Sequence, residues 1–358
     1  MRIVVDVAPL SHQRTGVGNY VRGSLRGLVE ASRGADEVLA FAPVSRRGRR
    51  EVDAAIAGIG VGRRLPVVPA AHALRTLWSR AGRPPVERVL GPLDVFHFSD
   101  WMYPPQRGGV RSTMVHDLVP LHFPEWVHVR THRMHGAKYS HAAKACDVVM
   151  VNSRFTGADV VETLGVPPER VHVAYPGVDE GFTPTGARAD LGRPYVLTVA
   201  TLEPRKNLAT LLDAYRRLDD TGLALAVAGA AGWGDQPSLA EPGVLRLGYT
   251  PHDELPDLYR GAAVFVYPSL FEGFGMPVVE AMACGVPCVV STHPSLDEAC
   301  GDAAIRADPL DADALARAIE RAIVQRDELV ARGLEHARSF SWLKNGEAHL
   351  AAWQAAAR

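Results

Sequence analysis

The stretch Ser269-Leu270-Phe271-Glu272-Gly273-Phe274-Gly275-Met276-Pro277-Val278-Val279-Glu280-Ala281-Met282-Ala283-Cys284-Gly285-Val286-Pro287 decides how this chain is read. One apolar run, Val264–Tyr267, precedes it and another, Cys288–Ser291, follows. Short apolar runs bounded by turn residues read as strands buried on both faces. Between them, Pro277 suits a first helical turn and Gly285 the position just past a helix end. The stretch therefore reads as strand, glycine loop, short helix, strand. Gly273 and Gly275 let backbone approach a ligand closely. N–H groups around Phe274, Gly275 and Met276 would then open onto a cleft at a helix N-terminus, a place suited to an anion. Glu272 and Glu280 flank that point, and carboxylates accept paired hydrogen bonds from vicinal hydroxyls such as those of ribose and sugars. A diphosphate between two polyols fits the arrangement; two surface glutamates at an ordinary strand–helix junction are the alternative.

Outward from this stretch, strand and helix alternate along almost the whole chain. Strands are predicted at Ile3–Val7, Val38–Ala42, Val95–Phe98, Thr113–His116, Val148–Asn152 and Val171–Tyr175. Pro176, Gly177, Pro184, Gly186, Gly192 and Pro194 then mark a linker. The alternation restarts at Tyr195–Val199, with further strands at Leu225–Ala228 and Val244–Leu247. At 358 residues the chain is too long for one ordinary core. The pattern predicts an α/β protein of two Rossmann-like doubly wound parallel-sheet domains facing a cleft. The expected boundaries are an N-terminal domain over 1–180, a linker over 181–194 and a C-terminal domain over 195–338. A last helix within 339–358 is expected to pack back on the N-terminal domain.

Composition narrows the function classes. A formal net charge of −1 gives no global footprint for nucleic acid. The start, Met1–Val7, reads at once as a strand rather than as a basic-then-apolar signal, and no apolar run reaches the roughly 18 residues of a membrane span. Cys146, Cys284, Cys288 and Cys300 lack zinc-type spacing and read as buried thiols of a reduced cytoplasmic protein. Asp311-Ala312-Asp313 has the bare spacing of a metal motif without a strand end before it, so it reads as a helix cap and no metal site is expected.

Three further segments sit where strands end. Thr201-Leu202-Glu203-Pro204-Arg205-Lys206-Asn207 places two cations at a helix start, against the helix dipole, and an anion between them would remove the conflict. Arg205 offers a planar fork and Lys206 a compact charge, both suited to phosphate. Only four of the 39 basic residues are lysine, so a lysine retained here is weakly informative; a solvated basic pair is the plainer reading. Thr15-Gly16-Val17-Gly18-Asn19-Tyr20 lies between the first strand and a helix but lacks the full dinucleotide fingerprint. Val115-His116-Asp117 closes a strand, and a lone histidine there is more often structural than catalytic.

Together these segments resemble the family 4 glycosyltransferases, retaining enzymes of the GT-B fold, over nearly the whole length. The paired-glutamate segment carries most of the resemblance. Glu203-Pro204-Arg205-Lys206-Asn207, the glycine segment at 15–20, Val151-Asn152-Ser153-Arg154-Phe155-Thr156 and Leu247-Gly248-Tyr249 agree in identity and order. So does Leu258-Tyr259-Arg260. The run at 115–124 looks most like bacterial mannosyltransferases of surface polysaccharide assembly. The resemblance implies transfer of a hexose from a nucleotide-sugar, GDP-mannose favoured, to a glycan, lipid-linked or small-molecule acceptor, with retention and without cofactor or metal. Glu272 and His116 would contact the donor sugar, Glu280 the ribose, and Arg205 and Lys206 the diphosphate. Gly16 and Gly18 would lie near phosphates or acceptor, and Gly248 and Tyr249 near the base. A sugar-nucleotide epimerase of the same fold and a non-catalytic nucleotide-sugar-binding protein are the alternatives.

Residues 43–89 stand apart, with ten arginines against Glu51, Asp53 and Glu87. Leu74, Leu77 and Trp78 recur there at helical spacing beside Arg75 and Arg80. A basic helix with an apolar edge suits peripheral contact with an anionic membrane. A solvated arginine surface whose Leu and Trp pack on the core is the equal alternative.

Overall fold

A computed structural model describes residues 1–13, 15–67, 77–78, 83–99, 103–218 and 222–358. They divide into two compact domains, the first comprising 1–121, 129–177 and 341–358, the second 122–128 and 178–340.

The first domain holds seven parallel strands: β1 (Arg2–Asp6), β2 (Glu37–Phe41), β3 (Gly62–Arg64), β4 (Val95–Phe98), β5 (Val110–Val115), β6 (Val148–Val151) and β7 (Val171–Val173). Their order is β3-β2-β1-β4-β5-β6-β7. Five of these strands, β1, β2, β4, β5 and β6, are buried almost throughout, as strands covered on both faces are. β3, Gly-Arg-Arg, has three exposed residues and no apolar signal; it is placed by backbone pairing to β2 and by the Arg63–Asp53 ion pair. The described helices here are α1 (Gly16–Ser32), α2 (Arg46–Ala55), α3 (Glu87–Leu90), α4 (Val119–His122), α5 (Val129–Ala145) and α6 (Arg154–Leu164).

The second domain has strands β8 (Tyr195–Val199), β9 (Ala224–Ala228), β10 (Val244–Gly248), β11 (Val264–Tyr267), β12 (Cys288–Ser291) and β13 (Ala304–Ala307), ordered β10-β9-β8-β11-β12-β13. Its described helices are α7 (Leu208–Tyr215), α8 (Leu255–Gly261), α9 (Met276–Ala283), α10 (Asp297–Cys300), α11 (Ala312–Val324) and α12 (Arg326–Ala337). In both sheets the order reverses beside the first strand, between β1 and β4 and between β8 and β11. Loops leaving adjacent strands at such a switch point diverge and open a crevice at their carboxyl ends. In the second domain those loops are the Arg205–Lys206 and Glu272 segments.

The final helix, α13 (Trp342–Ala356), packs along α1 in the first domain. Small residues make the contact close. A Cβ placed on Gly27 would lie 1.7 Å from the Trp342 carbonyl oxygen, and one on Gly346 would lie 2.2 Å from that of Gly27. Polar groups are paired across the seam: Asn345 donates to the Tyr20 hydroxyl (3.0 Å) and the Tyr175 carbonyl (2.7 Å), and the Trp353 indole donates to Ser112 Oγ (2.8 Å).

The arginine-rich segment is partly described. Arg46, Arg47, Arg49, Arg50, Arg63, Arg64, Arg83 and Arg88 are exposed, with Arg47, Arg49 and Arg63 near Glu51 or Asp53. Leu74, Arg75 and Arg80 lie outside the described residues. Trp78 is buried against Phe41, whereas Leu77 is exposed. Trp78 therefore belongs to the core rather than to an exposed apolar edge.

The α1–α13 seam and an exposed helix give opposite expectations for the same substitution. Gly27→Ala must push two backbones apart and should destabilise by about 1–3 kcal/mol. Gly136, inside α5 with open space around its missing Cβ, should stabilise by about 0.5–1 kcal/mol when changed to alanine. Thermal melts of the two variants check this; a Gly27→Ala protein melting at or above wild type would contradict the close packing.

Candidate functional site

The site in the second domain starts where β8 ends. Pro204–Lys206 form one 3-10 turn, and Asn207 follows in the left-handed region at φ 55° before α7 begins. The two cations thus sit ahead of the helix rather than in its first turn. Asn207 tolerates this backbone because its amide donates to the Pro309 carbonyl (2.6 Å) and the Pro268 carbonyl (3.2 Å). Leu270 N–H donates to the Arg205 carbonyl (2.8 Å), with the Ser269 hydroxyl oxygen 3.0 Å from the same carbonyl, tying the loop after β8 to the loop after β11.

That tie brings the charges together. Arg205 places one nitrogen 2.5 Å from Glu272 Oε2 and another 2.7 Å from Glu203 Oε1. Lys206 Nζ donates to Glu272 Oε1 (2.5 Å) and to the Tyr267 hydroxyl (2.7 Å). Ser269 Oγ donates to the same Oε1 (2.6 Å). Lys206, Glu203 and Glu272 are each at most 7% exposed, so charge is balanced inside the protein: two cations, two carboxylates. The conflict that an external anion was expected to remove is removed here by Glu203 and Glu272. Burial alone would raise the Glu272 carboxyl, but Arg205, Lys206 and Ser269 hold it down to about 2. Lys206 moves below its usual range, chiefly through burial and next through Arg205, with Glu272 opposing.

Glu280 behaves differently. Gly275, at φ 103°, turns the chain into α9, whose second residue is Pro277; a Cβ at Gly275 would lie 2.6 Å from Leu296. Glu280 points inward from that helix and is 6% exposed. It accepts from the Tyr259 hydroxyl (3.1 Å), and burial raises its pKa while the neighbouring His252 opposes the rise. His252 itself faces Asp179 at 3.2 Å. One carboxylate of the pair is therefore locked as an anion, and the other is poorly compensated. Phe274 is buried against Phe340, Met276 is partly buried as the first residue of α9, Gly248 takes φ 72°, and Tyr249 is exposed.

Beyond Glu272 the backbone N–H donates to Ser295 Oγ (3.0 Å), and that hydroxyl lies 2.8 Å from His293 Nδ1. The Ser295 N–H also donates to Nδ1 (3.2 Å). With Nδ1 accepting, the neutral ring carries its proton on Nε2.

In the first domain Gly16 and Gly18 are not a loop before a helix. Thr15 is the extended N-cap, and both glycines lie in the first turns of α1. His116 follows β5 and meets Tyr20 of α1 edge-on at 5.0 Å. Burial, aided by Lys138 and His135, lowers its pKa to about 3, so it is neutral near pH 7. Its Nε2 is buried without a hydrogen-bond partner among the described residues.

Sequence reasoning quoted Glu203, Ser269 and Tyr259 within motifs but gave them no task, and passed over Tyr267, His293 and Ser295. Lys138 entered it only in the count of four lysines. Lys138 proves 3% exposed and donates to the Ser99 carbonyl (3.2 Å), whereas Lys144 and Lys344 are exposed, so rarity of lysine alone did not mark buried positions. All four cysteines are free and buried. Among the described residues no cluster of three His, Cys, Asp or Glu is grouped as metal ligands, and no helix is long and apolar enough to cross a membrane.

Two domains of this topology, the second with a buried cation–carboxylate cluster at its switch point, are what the glycosyltransferase family models match along this chain. The chain belongs to that family: residues 14–182 match the model described as Glycosyltransferase Family 4, and residues 184–339 the model described as Glycosyl transferases group 1. It is 29% identical to the O-antigen chain mannosyltransferase B of Escherichia coli, over 96% of each chain. It is 30% identical to the serotype-specific mannosyltransferase WbdA of the same organism, over 57% of this chain but 28% of that one. Among solved structures, HepE of Anabaena in complex with UDP-glucose superposes with a TM-score of 0.71 at 16% identity, covering 99% of this chain and 100% of the other. The fold is GT-B.

The Glu272 cluster makes an acid-stability prediction. A carboxyl depressed from about 4.5 to about 2 contributes stability that is present above pH 4.5 and lost as pH falls toward 2, because the unfolded chain takes up the proton first. Glu272→Gln should remove that acid-side loss. At neutral pH it should cost about 3–5 kcal/mol, since two buried cations lose their shared anion. Urea unfolding at pH 3, 5 and 7 reads both effects; a variant as stable as wild type at pH 7 would refute the cluster.

Proposed function

We propose that the chain transfers mannose from GDP-mannose to a glycan acceptor with retention at the anomeric carbon. The observation that carries this reading is the buried Arg205–Lys206–Glu272 cluster at the switch point of the second domain. A nucleoside diphosphate can take over Arg205 and Lys206 from Glu203 and Glu272, which frees Glu272 to accept from donor-sugar hydroxyls. Charge-assisted contacts of this kind stabilise the departing diphosphate by preorganised electrostatics, with no metal needed for that task. Glu280 suits the ribose: its one hydroxyl donor, Tyr259, leaves acceptor capacity for a vicinal diol, whose hydrogen bonds favour the anion that burial disfavours. The N–H groups opening α9 at Phe274, Gly275 and Met276 add donors at a helix N-terminus.

In the step itself the bond from C1 to the diphosphate oxygen breaks and a bond from C1 to the acceptor oxygen forms on the same face. The acceptor proton passes to the departing phosphate. His116, neutral and with no partner for Nε2 among the described residues, is assigned to a sugar hydroxyl. Gly16 and Gly18 are assigned to phosphate or acceptor, and Gly248 and Tyr249 to the base. Mannose is favoured by the mannosyltransferase names of the two Escherichia coli relatives. Contact of the eight exposed arginines between Arg46 and Arg88 with an anionic membrane belongs to the same proposal, as a way to meet a lipid-linked acceptor.

Release of GDP that depends on added acceptor, and survives EDTA, is the expected behaviour; release of UDP instead would overturn the donor. In thermal-shift titrations GDP at 100 times its Kd should add about 2.7 kcal/mol of stability, with UDP and TDP adding less. The glutamates should fail differently. Glu280→Gln should raise the donor KM about tenfold to a hundredfold, as loss of a charged hydrogen bond does. Glu272→Gln should lower kcat and kcat/KM together. Identical defects would contradict separate roles.

A further inference from the structure

Residues 122–128 lie between two stretches of the first domain in sequence and belong to the second in space. They bring two large rings with them. Phe123 and Trp126 stack face to face, centroids 4.0 Å apart and planes 13° apart. Phe123 meets Phe271 edge-on at 5.5 Å, and Phe271 in turn lies 5.2 Å from the His293 ring. Phe271 directly precedes Glu272, so the stacked pair packs on the side chain next in sequence to the carboxylate assigned to the donor sugar. From the loop after β9, the Trp233 indole N–H donates to the Trp126 carbonyl. Trp233 is nonetheless 45% exposed. An indole whose polar atom is already bonded to backbone, and which keeps much of its surface in water, is oriented without being buried.

A ligand suited to this place has one apolar face and a polar edge. Pyranose rings have that form: their ring C–H groups lie on an aromatic face while the hydroxyls reach outward. The surroundings supply the polar half. His122, Glu125 and Asp235 are exposed, and the loop of Trp233 also walls a cavity of about 530 Å³ whose lining includes Gln236 and Arg246. An acyl chain would find these aromatic faces rimmed by charge.

We propose that Phe123, Trp126 and Trp233 form a stacking platform for the terminal sugar of the glycan acceptor, held beside Glu272. The proposal rests on the glycosyl-transfer reading above. His293, whose ring lies 5.2 Å from that of Phe271, stands at the Phe271 end of the platform.

The test is initial-rate kinetics with GDP-mannose and an α-linked mannotriose as acceptor. Trp233→Ala should raise the acceptor KM tenfold or more while the donor KM stays within twofold of wild type. Trp233→Phe, which keeps a ring, should recover most of the loss. Trp126→Ala should repeat the Trp233→Ala pattern. An acceptor KM within twofold of wild type in both alanine variants would overturn the platform. So would a matching rise in donor KM, which would mean that the rings hold the nucleobase. If the wild-type chain transfers no sugar, the reading of function fails by itself, and tryptophan emission during titration with mannotriose then judges the platform. A saturable shift in wild type that is absent from Trp233→Ala would uphold it; no shift in wild type would overturn it.

Discussion

Burial of two adjacent cations, Arg205 and Lys206, is the constraint around which the second domain is arranged. A buried charge without a partner costs several kcal/mol, so the fold must deliver carboxylates to the same point. Glu203 comes from the same loop. Glu272 comes from 67 residues beyond Arg205, and only the placing of β8 beside β11 makes the meeting possible. Ser269 serves both needs at once, since its hydroxyl approaches the Arg205 carbonyl and a Glu272 oxygen. The result is a cluster in which two cations and two carboxylates balance inside the protein.

The two glutamates of the signature stretch share a spacing but not an environment. Glu272 has a cation at each oxygen and is held as an anion. Glu280, eight residues on, has a tyrosine hydroxyl and a histidine nearby, and burial pushes its pKa up. Gly275 separates the two environments by reversing the backbone into α9. The two carboxylates of one segment are thus perturbed in opposite directions, one by paired cations and the other by burial.

In the first domain, burial acts on histidines. His97, His116, His135 and His349 all have depressed pKa values with burial as the leading cause. Lys138 adds to the effect on His97, His116 and His135. A neutral His116 beside Tyr20 is a hydrogen-bonding group rather than a cation. Its position depends on α13, because Asn345 of that helix holds the Tyr20 hydroxyl that orients the ring facing His116.

The sequence by itself determined the α/β class, the two parallel sheets and the central strands, because buried parallel strands must be apolar runs and those runs are visible without neighbours. It also marked Arg205, Lys206, Glu272 and Glu280, since charges beside glycine at strand ends stand out against an apolar background. Edge strands β3 and β13 escaped it: Gly-Arg-Arg and Ala-Ile-Arg-Ala carry little pattern and exist through pairing to a neighbour. The first turns of α1 escaped it too, because Gly16 and Gly18 look like a loop until the extended Thr15 begins the helix. Tertiary structure alone decided that Glu203 and Glu272 neutralise the cations, that Glu280 is left under-compensated, and that Phe123 and Trp126 leave the first domain to stack beside Phe271. Each of these is a contact between segments far apart in the chain, set by strand order and backbone reversals, and no local pattern of residue types encodes which distant side chain will arrive.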